Sequence, residues 1–140
     1  MKENIGLFLT KRAFLSPDHE TLVETEPERR LTYRQLNSRC NQAAHGLAGI
    51  VLRKGNRVAL LFKNSAEYVE LSFALAKMGA IMVPLNWRLA PPELEFILSD
   101  SGALALAFDP EFEETARTLR HNAKTPVKHW ISAGGQELSS

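Results

Sequence analysis

Few side chains in this sequence stand at the spacings that chemistry requires. The four histidines, His19, His45, His121 and His129, share no metal-ligand spacing with one another or with the single cysteine, Cys40. Cys40 lies on the apolar stripe of a predicted helix, which favours a buried small hydrophobe over a nucleophile. No Ser, His and Asp residues form a legible triad. We therefore predict no catalytic, cofactor-binding or metal-binding residue in this chain.

One candidate anion site is the start of a helix at Asn64-Ser65, directly after a predicted strand. Free backbone amides and the helix dipole favour negative charge at such a terminus. Without a glycine-rich turn, however, the backbone cannot approach a pyrophosphate closely. Ordinary helix capping is therefore the favoured interpretation.

A second candidate is Arg88, which follows Trp87 at the predicted carboxyl edge of a sheet, where α/β proteins usually bind ligands. Its guanidinium could pair with a carboxylate or a phosphate. The favoured interpretation is again structural: Arg88 forms an ion pair with Glu93 or Asp100, and Trp87 closes the loop.

The N-terminal elements that these patterns predict are helical segments around a hairpin. Thr32 and Gln35 form a capping-box pattern, which indicates a helix start. The first predicted helix is capped by Asn4, ends before Pro17 and carries the apolar residues Leu7, Phe8, Phe14 and Leu15. A hairpin of two strands, Thr21–Thr25 and Arg30–Leu31, follows. The second predicted helix has Leu36, Cys40, Ala43, Ala44 and Leu47 on its apolar side.

The remainder predicts four strands that alternate with three helices. Gly79 suits the positive φ that ends a helix, and Pro84 cannot donate to a strand ladder. Right-handed crossovers then give a mostly parallel sheet with helices on its faces, an α/β fold. The predicted strands are Arg57–Lys63, Ala80–Val83, Ala103–Phe108 and Val127–Ser132. The first of the three predicted helices is Ser65–Met78, with a capping box of Asn64 and Glu67. The second begins at Pro91-Pro92 and ends at Gly102, and the third is Pro110–His121.

The helix Ser65–Met78 is apolar around nearly its whole circumference, a pattern typical of a helix buried between two layers. A four-strand sheet offers only one covering layer. We expect something outside these residues to cover the second side, in slight preference to the alternative that the N-terminal helices fold back over it.

Three segments carry a resemblance to a known family. Residues 31–36 (LTYRQL) and 75–86 (LAKMGAIMVPLN) resemble the first two core motifs of the adenylate-forming superfamily, which includes acyl-CoA synthetases and aryl-CoA ligases. Residues 86–89 (NWRL), 92–94 (PEL) and 99–103 (SDSGA) resemble the segment that follows in its fatty-acid and aryl-acid–CoA ligase branch. The resemblance covers nearly the whole chain, but only the front of that family's longer N-terminal domain.

The resemblance implies an ATP-dependent ligase of fatty acid metabolism, in which an acyl-adenylate forms and CoA then takes the acyl group. The parent protein would use ATP, Mg²⁺ and CoA. This chain contains nothing similar to the family's phosphate loop of Gly, Ser and Thr, so we expect the 140 residues alone to be inactive and to bind no cofactor. The expected organisation is an incomplete domain at 1–140 with a disordered tail at 133–140.

Composition restricts the remaining alternatives. A net charge of +1 gives no electrostatic reason to expect nucleic acid or an anionic membrane, and the lone cysteine fits a reducing compartment. No apolar run is long enough for a signal peptide or a membrane span, so we expect a cytoplasmic protein. Expected partners are the rest of its own domain or a second copy that meets an exposed apolar face. The alternative from another class is a stand-alone flavodoxin-like binding or regulatory module.

Overall fold

The computed structural model describes residues 5–25, 28–49, 53–122, 124–133 and 136–137. The predicted Asn4 cap and residues 26–27, which lie between the two predicted hairpin strands, are outside these residues. The chain divides into two compact units: Met1–Arg53 with Asn64–Gly79, and Lys54–Lys63 with Ala80–Ser140.

The first unit is helical around a small hairpin. Its elements are α1 (Ile5–Leu15), β1 (Glu20–Thr25), β2 (Glu28–Thr32), α2 (Tyr33–Gly49) and α3 (Ala66–Met78). Strands β1 and β2 pair antiparallel, as predicted. The capping box is also confirmed: Gln35 N–H donates to Thr32 Oγ1 (3.2 Å), and Thr32 N–H donates to Gln35 Oε1 (2.9 Å).

Helix α3 differs from its prediction. Its residues are all buried or half-buried, and α1 and α2 both pack against it. The expectation of an uncovered side on this helix is therefore wrong, and the alternative, in which the N-terminal helices fold back over it, describes the structure. The apolar side chains that cover α3 include Leu9, Leu36 and Cys40, which form one buried cluster with Val69 and Phe73 of α3 half-buried against it.

The second unit is a five-stranded sheet with two helices. Its elements are β3 (Arg57–Leu61), β4 (Ile81–Pro84), α4 (Pro91–Ser101), β5 (Ala105–Phe108), a 3₁₀ turn (Pro110–Phe112), α5 (Glu113–Asn122), β6 (His129–Ser132) and β7 (Gln136–Glu137). The order is β4-β3-β5-β6-β7; the first four strands are parallel, as predicted. Strand β7 pairs antiparallel with β6, so residues 136–137 form a strand within the tail predicted to be disordered.

The core of this unit lies between the sheet and helices α4 and α5. Leu61, Leu106 and Phe108 of the strands pack against Leu98 of α4 and Leu119 of α5, and all are fully buried. The alternate residues of β3 and β5, which point to the other face of the sheet, are also buried. The absence of alternation in these strands thus predicted burial on both faces.

Most helix ends agree with their sequence signals. Gly79 and Gly102 have φ of 73° and 69°, the left-handed conformation that glycine adopts without the steric cost of a Cβ. Pro84 stands at the end of β4, an edge strand, where a missing N–H is tolerated. Within the residues described, no helix combines the length and hydropathy that crossing a bilayer would need.

Candidate functional site

The carboxyl ends of β3 and β5 mark the place where the sheet order reverses. The chain passes from β3 to β4 on one side, and then to β5 on the other side of β3. Ligands of open α/β sheets usually bind in the crevice outside the carboxyl ends at such a reversal. Lys63 follows β3 at this edge, Trp87 and Arg88 follow β4, and Glu111 and Phe112 follow β5.

These five residues form what we call the Trp87 cluster. The Lys63 ammonium and the Arg88 guanidinium each lie 4.5 Å from the centroid of the Trp87 ring. The Phe112 ring is centred 6.1 Å from Trp87 and tilted by 33°. Lys63 Nζ also pairs with Glu111 Oε1 at 2.7 Å. Two cations thus share one indole, an arrangement that the ring quadrupole favours.

Arg88 does not form the ion pair predicted for it. Among the described residues neither Glu93 nor Asp100 pairs with it. Glu93 instead accepts a hydrogen bond from the backbone N–H of Ala90 (2.9 Å) at the start of α4. The exposed guanidinium rests on Trp87 instead, and its backbone N–H donates to Asn86 Oδ1 (3.0 Å). Trp87 is half-buried, as expected of a residue that closes this loop.

The two cations of the Trp87 cluster differ in what they could bind. Glu111 neutralises Lys63. Arg88 meets an aromatic ring, which leaves its planar fork of donors available for an anionic group. The chemistry that these contacts support best is recognition of an anionic group by Arg88, since Lys63 already pairs with Glu111.

At the other predicted candidate, the start of α3, backbone amides already donate to side chains of the same unit. Ser65 has extended backbone angles, and its Oγ accepts from the Tyr68 N–H (3.2 Å). The Glu24 carboxylate from β1 accepts from the Ala66 N–H. A carboxylate of the protein therefore already occupies the place that an anion would take, and the capping interpretation is favoured over an anion site.

The predicted capping box at this helix is wrong. The cap is Ser65, and the Glu67 carboxylate binds Arg29 of β2 instead of the helix start (Arg29 Nη1 to Glu67 Oε1, 2.8 Å). Arg29 also binds Glu24 through Nε and Nη2 (2.8 and 2.7 Å). The hydrogen bond from Arg29 lowers the pKa of Glu67, the largest of several effects on that carboxyl. Arg29 thus joins the hairpin to α3.

The comparisons with known proteins agree with these motifs. The family model described as "AMP-binding enzyme" matches residues 9–138. This chain belongs to the AMP-binding enzyme family. Curated members similar to it include the long-chain-fatty-acid–CoA ligase FadD13 of Mycobacterium tuberculosis (41% identical over 133 residues, 94% of this chain and 26% of that protein) and the feruloyl-CoA synthase of an Amycolatopsis species (42% over 117 residues, 84% and 23%).

Solved structures show the same relation. The N-terminal domain of FACL13 from Mycobacterium tuberculosis matches with a TM-score of 0.90 and 40% identity, over 96% of this chain and 35% of that one. The anthranilate CoA ligase AuaEII matches with a TM-score of 0.85 and 33% identity, over 95% and 25%. The α/β architecture is therefore that of the N-terminal domain of acyl-CoA synthetases. The chain spans about a quarter of the length of the curated relatives it matches.

The remaining chemical candidates are Cys40 and the histidines. Cys40 is fully buried, and burial raises the pKa of its thiol to about 11, so the thiol stays protonated near neutral pH. His19, His45 and His121 are exposed, and the described residues contain no group of three metal-capable side chains.

Sequence reasoning missed three members of the Trp87 cluster: Lys63, Glu111 and Phe112. Lys63 was assigned to the end of a strand, and Phe112 to a helix interior. Their positions after two neighbouring parallel strands could have indicated a shared edge, since the carboxyl ends of parallel strands lie together. Their contacts with Trp87, however, depend on how the loops bend.

Proposed function

We propose that this chain is the N-terminal part of an AMP-forming acid–CoA ligase that activates a fatty or aryl carboxylic acid. The observation that carries this proposal is the family match over residues 9–138 together with the fold shared with acyl-CoA and aryl-acid ligases. Two of the similar proteins are by name a long-chain-fatty-acid–CoA ligase and a feruloyl-CoA synthase. These names support a carboxylic acid as the substrate class.

In the proposed reaction, the acid's carboxylate attacks the α-phosphate of ATP and pyrophosphate leaves. The thiol of CoA then attacks the carbonyl of the acyl-adenylate, and AMP leaves as the thioester forms. Mg²⁺, when bound to the phosphates, would neutralise their charge. In this proposal the present chain contributes its fold, and the phosphate-binding loop that the family resemblance implies is supplied by another part of the parent protein, since the 140 residues contain no similar segment. ATP, CoA and a reduced Cys40 all favour the cytoplasm.

A chimera tests this proposal directly. The part of FadD13 that aligns with this chain is replaced by residues 1–140, and acyl-CoA formation is measured with ATP, Mg²⁺, CoA and a long-chain fatty acid. We expect thioester formation by the chimera and none by FadD13 without its aligned part. A folded chimera that releases no pyrophosphate with any fatty or aryl acid would contradict the proposal.

The isolated chain provides the second half of the test. We expect titration calorimetry with ATP and Mg²⁺ to show no binding, because the chain has no loop similar to the family's phosphate loop. Tight ATP binding by a monomeric chain would instead support the flavodoxin-like binding module. Size-exclusion chromatography of the same sample measures whether the chain associates with itself, which stays a prediction.

A further inference from the structure

Arg88 is an exposed cation at the edge of the sheet where α/β proteins usually bind ligands. It follows β4, at the carboxyl edge where the strand order reverses. The structural role predicted for it was an ion pair with Glu93 or Asp100, and among the described residues neither acid forms one. The alternative role, recognition of an anionic group, is therefore the one that its surroundings favour.

The Trp87 cluster holds the Arg88 side chain in a defined position. The guanidinium carbon lies 4.5 Å from the centroid of the Trp87 ring, and this half-buried ring has Phe112 at 6.1 Å between ring centroids. The backbone N–H of Arg88 donates to Asn86 Oδ1 (3.0 Å), which orders the turn before it. An ordered side chain loses less conformational entropy when a ligand binds, and a stacked guanidinium keeps the donors at its edge available.

The other charges of the cluster are already paired. Lys63 Nζ lies 2.7 Å from Glu111 Oε1, so these two charges compensate each other. Asp109, which also follows β5, accepts the Glu111 N–H at its Oδ1 (3.0 Å) and so begins the 3₁₀ turn. Arg88 thus carries the positive charge of the cluster that no carboxylate among the described residues binds. Such a charge attracts an anion from solution.

The exposure of this loop selects a phosphate over the carboxylate of the acid substrate. Arg88 is exposed, and so are Asn86 and Ala90 in the same loop. A fatty or aryl acid needs an apolar pocket, because removal of its apolar surface from water supplies most of its binding energy. A phosphate needs no such pocket. It accepts two parallel hydrogen bonds from a guanidinium while its remaining oxygen atoms stay hydrated.

We propose that Arg88, positioned by Trp87, binds a phosphate group of a nucleotide substrate of the parent ligase. This inference rests on the proposed function, in which both nucleotide substrates, ATP and CoA, carry phosphates. Arg88 forms no covalent bond in the reaction. Its charge-assisted hydrogen bonds instead lower the KM of the substrate that carries the bound phosphate.

Titration of the isolated chain with inorganic phosphate tests the contact itself. One guanidinium gives an affinity on the order of millimolar, below what the calorimetric titration with ATP detects. The measurement is therefore ¹H–¹⁵N NMR of the two indole N–H groups at constant pH and ionic strength. We expect the Trp87 signal to shift to saturation and that of Trp130, which is buried in the same unit, to stay constant. Arg88→Gln should abolish the shift, and a Trp87 signal that never moves, or moves equally in this variant, overturns the proposal.

Arg117→Gln provides the matched control. Arg117 is an exposed arginine of the same unit, but its Nη2 already binds Glu113 Oε1 (2.9 Å) within α5. This substitution removes the same charge and should leave the phosphate titration of Trp87 unchanged. Equal loss in Arg88→Gln and Arg117→Gln would show that overall charge causes the shift, and would overturn the proposal.

The chimera with FadD13 distinguishes the two sources of the phosphate. We expect Arg88→Gln in the chimera to raise the KM of a nucleotide substrate about tenfold and to leave kcat unchanged, because a charge-assisted contact is lost from the ground state and the transition state alike. A rise for CoA alone assigns the site to CoA, and a rise for ATP alone assigns it to ATP. A rise only for the fatty acid, or no rise beyond that of Arg117→Gln, overturns the proposal.

Failure of this inference is distinguishable from failure of the proposed function. An active chimera whose Arg88→Gln variant is unimpaired refutes the phosphate site and retains the ligase. An inactive chimera refutes the ligase proposal, whereas the phosphate titration, which needs no catalysis, still measures the contact at Arg88.

Discussion

Helices α1 and α3 are both rich in apolar residues, yet they use them in opposite ways. In α3 apolar side chains occur around the whole circumference, and no residue is exposed. In α1 a narrow stripe of Gly6, Leu9 and Ala13 makes the intramolecular contact, and the bulky side chains face away from it. Hydrophobic content therefore did not determine which helix was covered. In α1 one small residue, Gly6, allows the helix to approach the backbone of α3 closely, and the buried Leu9 completes the contact.

The largest expected contrast between the two helices comes from a matched pair of leucines. Leu75 of α3 is 1% exposed, whereas Leu15 of α1 is 59% exposed. We expect Leu75→Ala to lower the free energy of unfolding by about 3 kcal/mol, since it leaves a cavity. Leu15→Ala should change it by less than about 0.5 kcal/mol. Urea unfolding followed by circular dichroism measures both, and equal effects would show that the two positions are buried alike in solution.

A glycine pair examines the close contact of α1. An alanine methyl at Gly6 would overlap the backbone of Lys77, so we expect Gly6→Ala to destabilise the chain by about 2 kcal/mol despite the better helix propensity of alanine. At Gly46 in α2 an added Cβ meets nothing within 4 Å. Gly46→Ala should therefore stabilise by roughly 0.5–1 kcal/mol through helix propensity alone. If both variants are stabilised, α1 does not pack as closely as described.

The smallest of these effects concerns Glu67, whose ion pair with Arg29 holds α3 to the hairpin, whereas the exposed side of α1 carries large apolar residues. Glu67 has a lowered pKa because Arg29 binds its charged form, so its contribution to stability is present above its ordinary pKa and is lost as the pH falls through the folded value. We expect Glu67→Gln to lower the free energy of unfolding by about 1 kcal/mol at neutral pH. The difference from the unsubstituted chain should decrease as the solution is acidified below the ordinary pKa of glutamate and vanish only below the lowered pKa of the folded state.

The neighbouring carboxyl provides the control for that pH dependence. Burial raises the pKa of Glu70, although Arg39 opposes the shift. A raised carboxyl pKa gives a contribution that is greatest in acid and is lost as the pH rises through the folded value. Glu70→Gln should therefore show the opposite pH trend to Glu67→Gln. Parallel trends in the two variants would contradict the arrangement of charges around α3.

Sequence patterns predicted most elements because their signals are local. The Thr32–Gln35 capping box, the glycine stops at Gly79 and Gly102, and the apolar strand at 57–61 each depend on residues a few positions apart. The parallel order followed from crossover handedness. Three of the four parallel strands are shorter than predicted, and the strand predicted at Ala80–Val83 is shifted by one residue to Ile81–Pro84.

The errors arose where another side chain took a group for which a local partner had been predicted. Glu67 matches a capping box, but Arg29, 38 positions earlier, takes its carboxylate. Arg88 has acids nearby in sequence, but the Trp87 ring holds its guanidinium. The sequence thus indicated where the candidate site lies and two of its five residues, Trp87 and Arg88. Its geometry depends on loop contacts that no local spacing encodes.

The distribution of aromatic residues gives the molecule separate optical reporters. Both tryptophans, Trp87 and Trp130, lie in the unit built on the parallel sheet, and both tyrosines, Tyr33 and Tyr68, lie in the helical unit. Fluorescence excited where only indole absorbs therefore follows the melting of the sheet, whereas far-UV circular dichroism follows all of the helices. Coincident transitions would show that the two units melt as one cooperative body, and separated transitions would show that each melts by itself.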